Sequence, residues 1–155
     1  MAEPADLSPT IIEALYGEAL LLADEARETF DLSGRLEAAS LDEDLARIAL
    51  SCEALRTTTR MMHAIAWLLN QRAFFAGELS EFQLRRYGRL PPAQPEADEG
   101  QLALLTPKLV ELIDRTRRFY ARIERLDHAW RERFAMQPMA IHRLRERLGS
   151  AVAAL

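Results

Sequence analysis

The sequence predicts an all-α protein: an antiparallel three-helix bundle with long second and third helices plus a short C-terminal helix. Three observations predict it. Apolar residues recur at three- and four-residue steps over most of the 155 residues, the signature of helical faces. Ser-Pro and Thr-Pro pairs and Ser-x-x-Glu/Gln boxes mark helix starts. No alternating β-branched run competes with them. A chain of this length reads as one domain, 1–155. It is large enough to bury a core without disulfide or metal.

Residues 1–7 read as a flexible N-terminus. Ser8 then caps the first helix, with Pro9 at its first position. Ile12, Leu15, Ala19, Leu22 and Ala26 form its apolar stripe, and the run is expected to end near Phe30, before Asp31-Leu32-Ser33-Gly34.

Ser40 and Glu43 form a capping box that opens the second helix. From there Leu41, Leu45, Ile48, Cys52, Leu55, Thr59, Met62, Ala66, Leu69, Ala73 and Ala76 keep a strict 4-3 alternation. That spacing predicts a packing seam. Met61, Ile65, Leu68 and Phe75 add a neighbouring stripe, so the second half is expected to be buried on two sides. Gly77 supplies the stop.

Ser80 and Gln83 open a short helix to about Tyr87. Residues 88–101, with three prolines and an acidic run, form a loop. Thr106-Pro107 starts the third long helix, whose seam is Leu105, Leu109, Leu112, Thr116, Phe119, Ile123, Leu126 and Trp130. Pro138 is expected to interrupt it. Leu144, Leu148 and Val152 then define a short helix in an appendage, 136–155. The long pair outruns the first helix, which leaves an apolar strip for self-association as a homodimer, or for coverage by the short helices.

Composition narrows the function. One cysteine, Cys52, excludes a disulfide framework and multi-cysteine metal sites. No stretch of 18 apolar residues and no leader pattern occurs, so a cytoplasmic location without membrane attachment is expected. His63, His128 and His142 carry no Glu-x-x-His or His-Glu-x-x-His spacing. The six glycines form no phosphate-cradling repeat. No catalytic residue, metal ligand or cofactor is therefore assigned, although a three-histidine site assembled in space keeps a metal-dependent helical enzyme as an alternative.

Charge is lopsided. Residues 1–55 hold 13 acids against three arginines, whereas residues 56–155 hold 17 bases against 11 acids. Either the two halves pair, or one offers an interaction surface. Nineteen of the 20 bases are arginine, the better residue for bidentate contacts. Arg115, Arg118 and Arg122 share one helix side with Arg125. Glu111 and Asp114 precede Arg115 and Arg118 by four, which favours a salt-laced face. A nucleic-acid-associated regulator is the second alternative, but direct nucleic-acid binding is not expected. Arg56 and Arg60, four apart, call for acids from elsewhere, with Asp24, Glu25 and Glu28 of the first helix as candidates. Otherwise Arg56, Arg60, His63 and Trp67 line a charged groove for a partner protein, Trp67 being the aromatic anchor.

The stretch from Arg56 to Ala73, with Thr58-Thr59-Arg60, Trp67-Leu68-Leu69 and Gln71-Arg72-Ala73, followed by Gly77-Glu78, resembles the signature of the alphaproteobacterial RcdA-like family, regulators of CtrA degradation. A second similar stretch runs from Leu109 to Asp127, with Phe119-Tyr120-Ala121-Arg122-Ile123 and Arg125-Leu126-Asp127. His63 and Asn70 depart from the pattern. The resemblance implies an all-helical, dimeric, non-enzymatic adaptor. With a receiver-domain priming protein it would tether cell-cycle transcription factors to the ClpXP protease, raising their effective concentration at the pore. Candidate partner contacts are Arg56, Arg60, His63, Trp67, Gln71, Arg72, Arg115, Arg118 and Arg122. On this reading Arg60→Glu leaves helicity intact and weakens partner capture.

Overall fold

A computed structural model describes residues 7–38, 44–95 and 97–153, with side chains for all of these except 35–38 and 133–142. The described residues form α1 (Pro9–Ala38), α2 (Asp44–Phe75), α3 (Glu81–Tyr87), α4 (Glu99–Leu102) and α5 (Pro107–Ala153). No strand occurs among them. No described helix is long and apolar enough to cross a membrane. The all-α bundle is thus as expected, with α1, α2 and α5 as its core.

The punctuation residues act as the sequence implies. The Ile11 amide donates to Ser8 Oγ at 3.3 Å, and the Leu109 amide to Thr106 Oγ1 at 3.4 Å. Ser80 and Gln83 make the reciprocal box, at 3.2 and 2.9 Å. After α2, Gly77 adopts φ +78°. Its amide bonds to Phe74 O at 3.0 Å, and that of Glu78 to Ala73 O at 2.8 Å, a complete Schellman closure. A Cβ at Gly77 meets no neighbour, so only the left-handed backbone penalises alanine there. Gly77→Ala is expected to cost about 1–2 kcal/mol, read as a lowered denaturation midpoint with an unchanged slope. The box expected at Ser40 and Glu43 lies outside the described residues, as do residues 1–6. Leu7, assigned to the flexible N-terminus, packs on the core.

Three boundaries differ from expectation. First, α1 runs through Gly34 to Ala38. A helical glycine costs only about 1 kcal/mol, and Phe30 just before it packs against both apolar clusters of the core. Second, the loop beginning at residue 88 is broken by the single turn α4, capped by Asp98. Third, Pro138 does not end the third long helix: the expected C-terminal helix is the continuation of α5, 47 residues in all. Proline removes one backbone bond, and alanine, methionine and arginine around it are strong helix formers.

The sense of the helices follows from which residues meet. Arg72 near the end of α2 reaches Glu13 near the start of α1, and α5 Arg115 and Arg122 reach α1 Glu25 and Glu18. So α1 is antiparallel to both neighbours. Between α2 and α5, Leu50 clusters with Leu109, Arg60 meets Thr116, and Trp67 meets Asp127. These two helices run parallel. The connection from α2 to α5 must therefore carry the chain back along the bundle, and residues 88–95 form an irregular strap on that path. Prolines suit it because their φ is preset and an irregular strap leaves backbone groups to solvent. Leu90 anchors the strap on the core. At its start a side chain on Gly88 would stand 2.5 Å from Leu84 O.

The seams of α1 and α5 are buried as expected: Ile12, Leu15, Ala19, Leu22 and Ala26 against Leu109, Leu112, Thr116, Phe119 and Ile123. The heptad seam of α2 is not. The face that α2 buries is Ala46, Ala49, Leu50, Glu53, Thr57, Met61, Ala64, Trp67, Leu68 and Gln71. Small residues of the main cluster (Ala64 on α2, Ala19 and Ala26 on α1) suit a close approach of these two helices, and Trp67 is the bulkiest side chain that α2 adds to it. The heptad residues Leu45, Ile48, Leu55, Met62 and Leu69 point the other way, into solvent.

Candidate functional site

A polar layer divides the core in two. Below it lie Ala49, Leu50, Leu105, Leu109 and Ile113, and above it the larger cluster's Met61, Trp67, Phe119 and Ile123. Glu53 and Thr57, one turn apart on α2, supply the layer from one side and Thr116 of α5 from the other; all are buried. Arg56 Nη1 donates to Glu53 Oε1 at 2.6 Å and to Gln101 Oε1 of α4 at 3.2 Å. Arg60 Nη1 donates to Thr116 Oγ1 at 2.9 Å, and the Thr116 hydroxyl in turn donates to Ile113 O at 2.7 Å. Burial holds the Arg60 guanidinium below its ordinary pKa, Arg117 adds to the effect, and Glu53 opposes it. The two arginines therefore find their partners on α2, α4 and α5, not in Asp24, Glu25 or Glu28 of α1. Glu53 Oε2, Thr57 Oγ1 and Gln71 Nε2 accept or donate no hydrogen bond among the described residues.

About three helical turns above, Trp67 is 2% exposed and its Nε1 donates to Asp127 Oδ1 at 3.0 Å. Arg131 donates to the other oxygen of the same buried carboxylate. Expected as an anchor for a partner, Trp67 is instead a pillar of the core. Tryptophan buries well only where its N–H finds an acceptor, and Asp127, sixty residues away, provides it. Gln71 is likewise buried.

The strap makes a surface over these layers. Between it and α5 lies a cleft of about 380 Å³, walled by Arg60, His63, Gln94, Pro95, Tyr120 and Glu124. A wider cleft of about 810 Å³ continues along Arg89–Ala93, Arg125 and Arg131. Burial raises the Tyr120 hydroxyl pKa, with Glu124 and Asp127 adding to it. Of the predicted contact residues, Arg60 and His63 thus reach a common cleft, whereas Trp67 and Gln71 lie beneath it.

The remaining arginines form a ladder to α1. Arg72 Nε donates to Glu13 Oε1 at 2.6 Å and its guanidinium lies 4.3 Å from the Tyr16 ring centre. Arg115 meets Glu25 at 2.6 Å, and Arg122 grips both oxygens of Glu18 at 2.9 and 3.1 Å. The bond from Arg115 holds the Glu25 carboxyl below its ordinary pKa, and the bonds that Arg72 and Arg115 donate to Glu13 and Glu25 raise the pKa of each arginine. The acidic first third and the basic remainder are accounted for in part by this pairing of halves. The expected pair Asp114–Arg118 is replaced by Asp114–Arg117 at 3.8 Å. Arg118 is exposed and in no ion pair among the described residues. Exposed pairs of this kind contribute only about 0–1 kcal/mol each.

Two apolar surfaces have no partner within the described chain. One is the outer stripe of α2. The other is the distal part of α5, where Leu144, Leu148 and Val152 are 58–72% exposed. Their sequence signal was plain, but the periodicity did not reveal that both stripes face outward. Among the described residues no group of three or more His, Cys, Asp or Glu side chains is placed to hold a metal ion.

The fold and these surfaces define a class: a helical bundle that carries unpartnered helical faces. The chain belongs to the family described as "Protein of unknown function (DUF1465)", whose model matches residues 4–152. No curated protein and no solved structure matches it.

Proposed function

We propose that this protein is a non-enzymatic adaptor of the RcdA type, a homodimer that works with a receiver-domain priming protein to bring cell-cycle regulators to the ClpXP protease in the cytoplasm. The observation that carries the reading is the distal part of α5. A helix of 47 residues extends about 70 Å, against about 45 Å for the 30 residues of α1. Every described side chain from Arg143 to Ala153 is exposed. Leu144, Leu148 and Val152 lie four apart on one face, with Arg143, Arg145 and Arg147 beside them. A projecting amphipathic helix is suited to lie in a partner's apolar groove. An adaptor needs such an arm together with a rigid body, since it works by raising local concentration.

The test is retention on a proteolytically inactive ClpXP trap from source-cell lysate, with and without the cognate receiver-domain protein. The expected result is receiver-dependent capture of this protein together with transcription factors. Capture in neither condition overturns the adaptor reading.

A further inference from the structure

We propose that the cleft between the strap and α5 binds a small phosphate monoester, its phosphate held between Arg60 and His63 of α2 and Tyr120 of α5. The site goes beyond the adaptor reading and depends on none of that reading's partners.

The parallel packing of α2 and α5 builds the cleft. Arg60 and His63, three residues apart, share one side of α2, and Arg117 and Tyr120, three apart, share the facing side of α5. The bond from Arg60 to Thr116 sets the two pairs at the same height. Gln94 and Pro95 of the strap close a third wall. Arg60, His63, Gln94, Arg117 and Tyr120 are all half-buried. At about 380 Å³ the space is of the size that small molecules occupy.

Its walls carry donors that have no acceptor. Arg60 spends Nη1 on Thr116, and its Nε and Nη2 make no hydrogen bond or ion pair among the described residues. Those two nitrogens are open to the cleft, because the buried side-chain atoms without a partner belong to Glu53, Thr57 and Gln71. The His63 ring, the Gln94 amide and the Tyr120 hydroxyl likewise bond to nothing among the described residues. Burial raises the Tyr120 hydroxyl pKa, with Glu124 and Asp127 adding to it, so at neutral pH this group is a donor. Imidazole offers an N–H in either protonation state. Burial and then Arg117 lower the Arg60 pKa, and an anion beside Arg60 would offset both. Arg117 itself, which meets Asp114 at 3.8 Å, contributes charge to the wall and is not counted among the donors.

The directions of the donors select the ligand. The Nε–Nη2 edge of a guanidinium grips two oxygens of a phosphate or a carboxylate. A planar carboxylate is then satisfied from one side. A phosphate monoester has a third terminal oxygen, and here His63, Tyr120 and Gln94 approach from α2, α5 and the strap. The remaining volume is lined by Pro95 and Ala121, against which an organic group can pack. Glu124, exposed on the α5 wall, repels a phosphate at its own end and so directs it toward Arg60. With the strap over it, the cleft suits a free small molecule and not a side chain on a folded protein.

The experiment titrates the full chain with phenyl phosphate by isothermal calorimetry near neutral pH in a low-chloride buffer, with benzoate and a phosphoserine peptide in parallel. Phenyl phosphate should saturate at one per chain with a Kd below about 1 mM, and both other probes should bind at least about tenfold more weakly. Tyr120→Phe, which removes a hydroxyl that bonds nothing in the free protein, should keep the fold and weaken binding about tenfold. Arg60→Met should weaken it about a hundredfold. Arg27→Met, on the exposed side of α1 and paired with Asp24, should leave binding unchanged. No saturation by about 10 mM phenyl phosphate overturns the proposal. So does benzoate or the phosphopeptide binding as tightly, an unchanged Kd in Tyr120→Phe, or an equal loss in Arg27→Met, which would mean general attraction to a basic surface.

Discussion

Trp67→Ala should lower the unfolding free energy by about 3–5 kcal/mol, the largest effect expected of any single truncation in this core. The indole is 2% exposed and spans the gap between α2 and α5 in the main cluster, so its removal leaves a cavity that only backbone shifts could fill. The second cost is electrostatic. Asp127 is buried, and its two oxygens are divided between Trp67 Nε1 and Arg131. Without the indole donor one oxygen of a buried carboxylate is left without a hydrogen bond, a loss of about 1–3 kcal/mol. Trp67→Phe separates the terms. It keeps most of the ring volume and forfeits only the donor, so about 1–3 kcal/mol is expected. Urea denaturation followed by circular dichroism checks both at one fixed protein concentration, since self-association would shift the midpoint. An alanine variant within 1 kcal/mol of the unaltered protein would place Trp67 outside the core and restore it as a candidate contact.

That tryptophan illustrates what the sequence makes legible. The faces of α1 and α5 could be read because each helix has a single apolar side, so periodicity and burial coincide. In α2 they part company. The most regular stripe, Leu45 to Leu69, is the exposed one; of the buried face the second stripe shows only Met61 and Leu68, and the rest, chiefly alanines with a glutamate, a threonine, a tryptophan and a glutamine, does not stand out as a seam. Heptad regularity marks a surface that meets another helix; it does not say whether that helix belongs to the same chain. Partner choice was illegible for a different reason. Arg60 finds Thr116 and Trp67 finds Asp127 because α2 and α5 run parallel. That sense is set by the long connection 76–106, whereas a short connection would have made them antiparallel. The acids of α1 were legible as partners for the arginine-rich part of the chain, but not the register that gives Glu25 to Arg115 and Glu18 to Arg122.

Arg60→Glu now carries an expectation opposite to the one its surface pattern invites. An arginine in an outward groove could be reversed at little cost to folding. Arg60 instead reaches into the polar layer, where it donates to Thr116 and lies near the fully buried Glu53. A glutamate there forfeits a charge-assisted bond and sets a second carboxylate beside Glu53, one of whose oxygens already lacks a partner among the described residues. About 2–4 kcal/mol of stability should be lost. Arg60→Met, which removes the charge and keeps the stem that lines the layer, should cost less than half as much, because an apolar replacement leaves no uncompensated charge. Arg118→Glu is the surface control: exposed and in no ion pair among the described residues, it should stay within about 0.5 kcal/mol. Denaturation midpoints of the three variants, measured beside their retention on the ClpXP trap, separate scaffold from contact. A stable Arg60→Glu protein that fails only in capture would mean that the guanidinium faces the cleft beside His63, not Thr116. An unstable one makes Arg60 the brace that fixes α5 against α2, and any loss of capture then reports the tilt of the projecting arm, not a missing charge at the partner.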